Sequence, residues 1–342
     1  MNRLRAFAIL FAIVLVVSSV SAQAPAYKVV KRFELGGDGG WDYLTVDNNS
    51  RRIYISRATR VMVVDADSGK LIGEIPDTPG VHGIAIATDL NRGFISAGRA
   101  NSVTIFDLKT MAVISKVDVG QNPDSILYEP TTHRVFTFNG RSSDSTVVDA
   151  ATGTVAGTIP LGGKPEFSVH DDKGTVYVNI EDKSEVAAIN AKTMKETARW
   201  SLAPCQDPTG LAIDRKNHHL FSACGGNKLM AVSDYSAGKM IASVAIGAGS
   251  DGAGFDPDSG FAFSSNGDGT LTVVSEVSPG KFDAVQNAET QPRARTMTVD
   301  PKTHAIYLPA AKFGAAPAAT AENPRPRPAM EPGSFVLLVV AK

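Results

Sequence analysis

The sequence predicts an all-β chain folded as a seven-bladed β-propeller, with four antiparallel strands in each blade. Three observations carry that expectation. A short aromatic segment recurs seven times, each recurrence divides into four strand-like runs, and the two chain ends supply complementary parts of one blade. Self-similarity at a period of about forty residues marks an array of sheets that bury their faces only by stacking on one another.

The recurring segment begins as RRIYIS from Arg51 and returns as NRGFIS from Asn91, HRVFTF from His133, GTVYVN from Gly174, HHLFSA from His218, SGFAFSS from Ser259 and HAIYLP from His304. Tyr54, Phe94, Phe136, Tyr177, Phe221 and Tyr307 share one repeated position, and the sixth copy offers Phe263 one place off. Around this second strand the first copy reads as YLTVD alternating, NNSR turning, RIYIS alternating, VMVVDA as a third run, DSGK turning and LIGEI as the fourth. Asp65, Asp107, Asp149 and Asn190 end the third runs. An Asx side chain there bonds the turn backbone two residues on, so these read as turn residues and not as catalytic ones. At the C-terminus SFVLLVVA is a third strand lacking a fourth, while YKVVKRFEL near the N-terminus is a fourth strand with no blade before it. Pairing them closes the ring and covers both open edges.

Arg3 and Arg5 precede an apolar run from Ala6 to Val17 and the small-residue end Val20-Ser21-Ala22, the order of a secretory signal peptide. Residues 1–22 are therefore expected to be a cleaved leader and residues 23–342 a single propeller domain, periplasmic or extracellular, with no transmembrane segment after cleavage. The net charge of -1 becomes -3 without Arg3 and Arg5, so no basic excess points to nucleic acid. High Gly content, 31 residues, beside a 43% hydrophobic fraction suits many short strands joined by tight turns.

VFTFNGRSSDSTVVDAATGTVAGTIPLGGKP, from Val135 to Pro165, resembles the YVTN β-propeller repeats, and residues 27–342 as a whole resemble the YncE-like periplasmic propellers of that family. The literal tetrapeptide is absent, with YVNI from Tyr177 and YISR from Tyr54 as degenerate versions. The resemblance implies the fold and a binding or surface-associated role, and fold alone carries no activity.

Trp41-Asp42 sits at the entry of the first inner strand, whereas the WD of WD40 blades closes the third, so the pair is not that signature. Aligned first strands place His82, Asp124, Pro165 beside Glu166, Thr209, Asp251 and Arg295 at positions equivalent to Asp42. Inner strands converge on the axis, so these residues should ring one channel mouth, with Asp42, Asp124, Glu166 and Asp251 as an acidic arc and Trp41 as an aromatic wall. Convergent polar groups at a propeller mouth are the default ligand site. His82, Asp124 and Asp251 are the candidate ligands for a divalent cation, Ca²⁺ if oxygen dominates or a transition metal if His82 binds. The bland alternative is turn chemistry, since NPD, DPTG and SDG are turn sequences in their own right. His133, His218, His219 and His304 fall in turns at the opposite end, and His170 ends an inner strand there.

GxSxG, P-loop and GxGxxG patterns are missing, so no catalytic residue is assigned. Cys205 and Cys224 both reach the mouth face of the fifth blade, and in an oxidising compartment they should form a disulfide that pins the loop carrying Asp207 and Thr209. Residues 315–333, AAPAATAENPRPRPAMEPG, are inserted in the second turn of the last blade as an extended Pro/Ala-rich loop, open to a role as lid or strap but more simply a tolerated insertion. The functional expectation is a monomeric scaffold that binds a small molecule, glycan or partner protein at the mouth. A mouth-centred, metal-dependent hydrolase of lactonase type is the alternative.

Overall fold

The computed structural model describes residues 26–320 and 326–342, so the expected leader lies outside the described residues. Seven sheets, each of four antiparallel strands, succeed one another along the chain, and six of them are built from consecutive strands. Their inner strands are Leu44–Asp47, Val81–Ala87, Pro123–Glu129, Pro165–His170, Pro208–Asp214, Ser250–Asp256 and Thr298–Val299. In the seventh blade Lys28–Glu34 pairs antiparallel with Val336–Ala341 as the fourth strand, matching Lys28 to Ala341 and Glu34 to Val336. The ring therefore closes as the chain ends predict. Among the described residues no helix is long and apolar enough to cross a membrane.

The core lies between blades rather than within them. Each aromatic of the repeated segment faces the neighbouring sheet: Tyr54 meets Phe106 of the second blade at 5.6 Å between ring centroids, and Tyr27 from the closing strand meets Phe263 of the sixth at 5.2 Å. Phe94, Phe136 and Phe263 are fully buried. Phe263 is not off register. A left-handed residue precedes the second strand of every blade (Arg51, Asn91, His133, Gly174, His218, Gly260 and His304), and Phe263 stands three places after its own. It pairs with Val273 as Tyr54 pairs with Val63. The apparent offset arises because the sixth copy starts at Gly260 and not at Ser259.

Asp65, Asp107, Asp149 and Asn190 accept turn N–H groups as expected, for example from Ser68 at 2.8 Å and from Thr152 at 2.7 Å. A second acidic set escaped the sequence reading. Asp47, Glu129, Asp171, Asp214, Asp256 and Asp300 end or follow the inner strands of six blades, are buried, and accept N–H groups of the next turn.

Candidate functional site

Inner strands bulge at one end. In the third blade Pro123 pairs with Asn139 and Ser125 with Phe138, leaving Asp124 as the extra residue. The same interruption follows Val81, Pro165, Pro208 and Ser250, so His82, Glu166, Thr209 and Asp251 occupy the equivalent places. A bulged residue escapes the pleat and can be aimed, here toward the channel axis. Glu166 and not Pro165 is thus the fourth blade's member of the ring, because each bulged residue follows the last paired one and Pro165 is itself paired with Ile180.

Hydrogen bonds between blades hold the bulges. Tyr43 N–H donates to the His82 carbonyl at 3.2 Å, the Ser125 hydroxyl to that of Glu166 at 2.7 Å, Asn179 Nδ2 to that of Thr209 at 3.1 Å, the Ser265 hydroxyl to that of Arg295 at 2.6 Å, and the Thr296 hydroxyl to that of Asp42 at 2.7 Å. The carbonyls that the bulges free are satisfied by the next blade, which fixes the directions of the ring side chains.

These side chains line a cavity of about 450 Å³. His82 Nδ1 lies 2.7 Å from Asp42 Oδ2 and 3.0 Å from Asp124 Oδ1. Arg295 Nη2 lies 3.3 Å from Asp251 Oδ2. Thr209 borders the cavity, but its hydroxyl is turned to the backbone carbonyls of Ser250 and Ala223. Trp41 does not line this cavity. It stands in an adjoining cleft, packed on Phe313 and Phe335.

Two ring groups escaped the sequence reading. Lys164 Nζ lies 2.6 Å from Glu166 Oε1 and also contacts Glu181. A signal existed for both. In five blades the residue after the second strand donates its N–H to the carbonyl of the residue two before the bulge: Gly98 to Gly80, Gly140 to Asn122, Glu181 to Lys164, Gly225 to Asp207 and Gly267 to Gly249. Where four blades carry Gly, the fourth carries Glu181, and the position two before the bulge carries Lys164.

The electrostatics follow from crowding. Burial pushes the Glu166 carboxyl up, to about 9, with the charge of Asp124 adding and Lys164 opposing. Asp251 is pushed up to about 6, first by burial, with Arg295 opposing and Asp42 and Asp124 adding. Asp124 is raised as well, by burial and by Asp42, against the pull of His82. Burial disfavours the His82 cation, but the hydrogen bond to Asp42 and the charge of Asp124 outweigh it and the pKa rises. Below the ring, Tyr43 and Phe167, with centroids 5.0 Å apart, separate the mouth from a second chamber of about 520 Å³. Ile84, Ile126 and Val169 line that chamber, together with His170 and Arg215.

The other histidines lie outside the mouth. His133 pairs with Asp89 and His304 with Asp256, both at 3.0 Å, and His170 with Asp172 at 2.9 Å. Cys205 and Cys224 form a disulfide as expected, tying the loop that carries Asp207 and enters the inner strand at Pro208 to the end of the second strand His219–Cys224. The insertion's base is more ordered than a plain loop: Gly314 N–H donates to Ala329 O at 3.0 Å, Glu331 N–H donates to Lys312 O at 2.9 Å, and Phe313 bridges to Met330. Neither a protein-family model nor a curated protein matches the chain.

Proposed function

We propose that this chain is a secreted or periplasmic ligand-binding propeller of the YVTN-repeat, YncE-like kind, with residues 1–22 as its leader, residues 23–342 as one monomeric domain, and the ring of bulged residues as its site. One observation supports the site above all. The carboxyl groups of Asp42, Asp124, Glu166, Glu181, Asp207 and Asp251 share one cavity with Lys164, Arg295 and His82, whose pKa is raised, as counter-charges. Two of those carboxyls are held well above their usual range. A bound cation relieves such repulsion, so the ring favours a divalent ion or the ammonium group of a small molecule, aminosugar or partner side chain. The disulfide and the charged, apolar, small-residue order of the leader support the oxidising compartment.

A second reading has its own support. One ligand atom each from Asp42, His82 and Asp124 falls within 4.8 Å of the others. Two carboxylates and an imidazole suit a transition ion better than calcium, which takes about six to eight oxygens. Such an ion supplies Lewis acidity and an activated water, the chemistry of a metal-dependent hydrolase of lactonase type. In this reading the proton on His82 Nδ1 and the ion compete for one place.

Thermal unfolding with EDTA and then with Mn²⁺, Zn²⁺ or Ca²⁺ tests both. A ligand present at a hundred times its Kd adds about 2.7 kcal/mol of stability. A rise in Tm with Mn²⁺ or Zn²⁺ that disappears in Asp124→Asn supports the ion and directs assays to esters and lactones. A Tm unmoved by every ion removes the metal reading. If mono- and diammonium probes then also leave Tm unmoved, the cationic site falls with it.

A further inference from the structure

Beside the acidic mouth lies a cleft of about 660 Å³ with the opposite character. Trp41 and Phe313 form its apolar surface, and Arg293, Arg295 and Arg327 line it. We infer that this cleft is a second binding site, taking a small organic anion whose carboxylate is carried on a flat ring.

Three features carry the inference. First, the aromatic surface is clamped in a ladder: Arg57 stacks on Phe335 at 3.6 Å, Phe335 meets Trp41 at 5.3 Å, Trp41 meets Phe313 at 6.0 Å, and Arg293 lies over Phe313 at 4.1 Å. Arg57 is fully buried and donates to the Gly37 and Asp38 carbonyls at 2.9 and 3.0 Å, which fixes the segment leading to Trp41. A ring so held is a preorganised stacking platform.

Second, the cleft is cationic. Among the described residues neither Arg293 nor Arg327 forms an ion pair, and Arg295 has only Asp251, on its mouth side. The one acid in the lining, Asp268, is engaged by the Ala248 N–H at 2.6 Å and by the Thr270 hydroxyl at 2.7 Å. A guanidinium stacked on an aromatic ring keeps its in-plane donors free, and that fork matches a carboxylate bidentately.

Third, Arg293 occupies a left-handed position, with φ of 71°. The same place, two residues before the bulge, is Gly80, Asn122, Asp207 and Gly249 in other blades, all at positive φ. Those residue types tolerate that conformation, whereas a long side chain there is strained. The seventh blade therefore accepts backbone strain to put a guanidinium beside Phe313. The insertion supplies Arg327, and Phe313 stands just before it and bridges to its Met330, which gives its ordered base a role as one wall of this cleft.

The chain holds two tryptophans, Trp41 and Trp200, the latter buried with its Nε1–H bonded to Ser233 Oγ. In Trp200→Phe the emission of Trp41 reports the cleft alone, and calorimetry on the native sequence gives an independent reading. Benzoate is expected to titrate saturably, one per chain. Benzyl alcohol, the same ring without the charge, and inorganic phosphate, the charge without a ring, should each bind at least about tenfold more weakly. Arg293→Gln and Arg327→Gln, the second at an exposed side chain, should each weaken benzoate about tenfold. The inference is overturned if benzoate gives neither saturable heat nor an emission change, if benzyl alcohol or phosphate matches it, or if both arginine variants bind it as the native chain does. None of these outcomes bears on the acidic ring, which metal and ammonium probes report separately.

Discussion

Asp251 and Asp256 belong to one inner strand, Ser250–Asp256, yet their carboxyls behave oppositely. At the mouth end Asp251 is pushed up to about 6 by burial among other acids. At the far end burial works against ionisation of Asp256 too, but the Ser259 hydroxyl, the His304 imidazole and a turn N–H hold it below its usual range. Asp124 and Glu129 repeat the contrast along Pro123–Glu129, the first raised and the second lowered by four hydrogen bonds from Thr131 and Thr132. A buried carboxyl is thus a structural acid where donors converge on it, and a reactive or binding one where other acids do. A propeller keeps the two kinds at opposite ends of the same strands.

The contrast can be tested by removal, beginning with the largest effect. The fifth blade places Thr209 where other blades place an acid at the bulge and ties its mouth loop covalently, so replacing both Cys205 and Cys224 by Ala should lower the unfolding free energy by about 3 kcal/mol, read from the urea midpoint. At the far end Glu129→Ala removes the buried acceptor of the Thr131 and Thr132 turn N–H groups and should cost about 1 kcal/mol by the same measurement. An unchanged midpoint there would break the distinction between the two ends.

Glu166→Gln at the mouth should act the other way. Folding raises this carboxyl from about 4.3 to about 9. Its contribution to stability is therefore complete below about pH 4.3 and is lost as pH rises toward 9, because the folded chain binds the extra proton in that window. Gln cannot ionise, so the native chain should lose more stability between pH 5 and pH 9 than the variant does. Identical pH profiles in the two chains would show that Lys164 keeps Glu166 ionised throughout. The smallest effect belongs to Asp65→Ala at an exposed turn, about 0.5 kcal/mol.

The architecture was legible because period and alternation are properties of sequence that the fold preserves; even Phe263 falls into register once counting starts from the left-handed residue. The ring was legible for the same reason. Asp42, His82, Asp124, Thr209, Asp251 and Arg295 sit one blade apart in sequence, and closure makes them neighbours. What could not be counted was the bulge. An extra residue in one strand shifts the pairing by one, which is why the aligned position fell on Pro165 although its neighbour Glu166 was the residue expected in the arc. Lys164 and Glu181 lie on a loop and after a second strand, so only the bond between their backbones shows that they belong together. Trp41 went to the neighbouring cleft because its partners, Phe313 and Phe335, come from the far end of the chain, about which alignment of the repeats is silent.

Closure by Lys28–Glu34 and Val336–Ala341 also sets an order of events during synthesis. The strand that completes the last blade is among the first made, and its partner is the last. Until Val336–Ala341 has been made, the early strand has no edge to dock on and the seventh sheet cannot be finished. Sealing requires a loop of some three hundred residues to close, an entropic cost that grows only as the logarithm of length and is small once the intervening blades have stacked. A chain truncated before Val336 would leave Arg295 and the cleft beside Trp41 on an unsealed blade, so premature termination by even a few residues should cost the whole ring its closure.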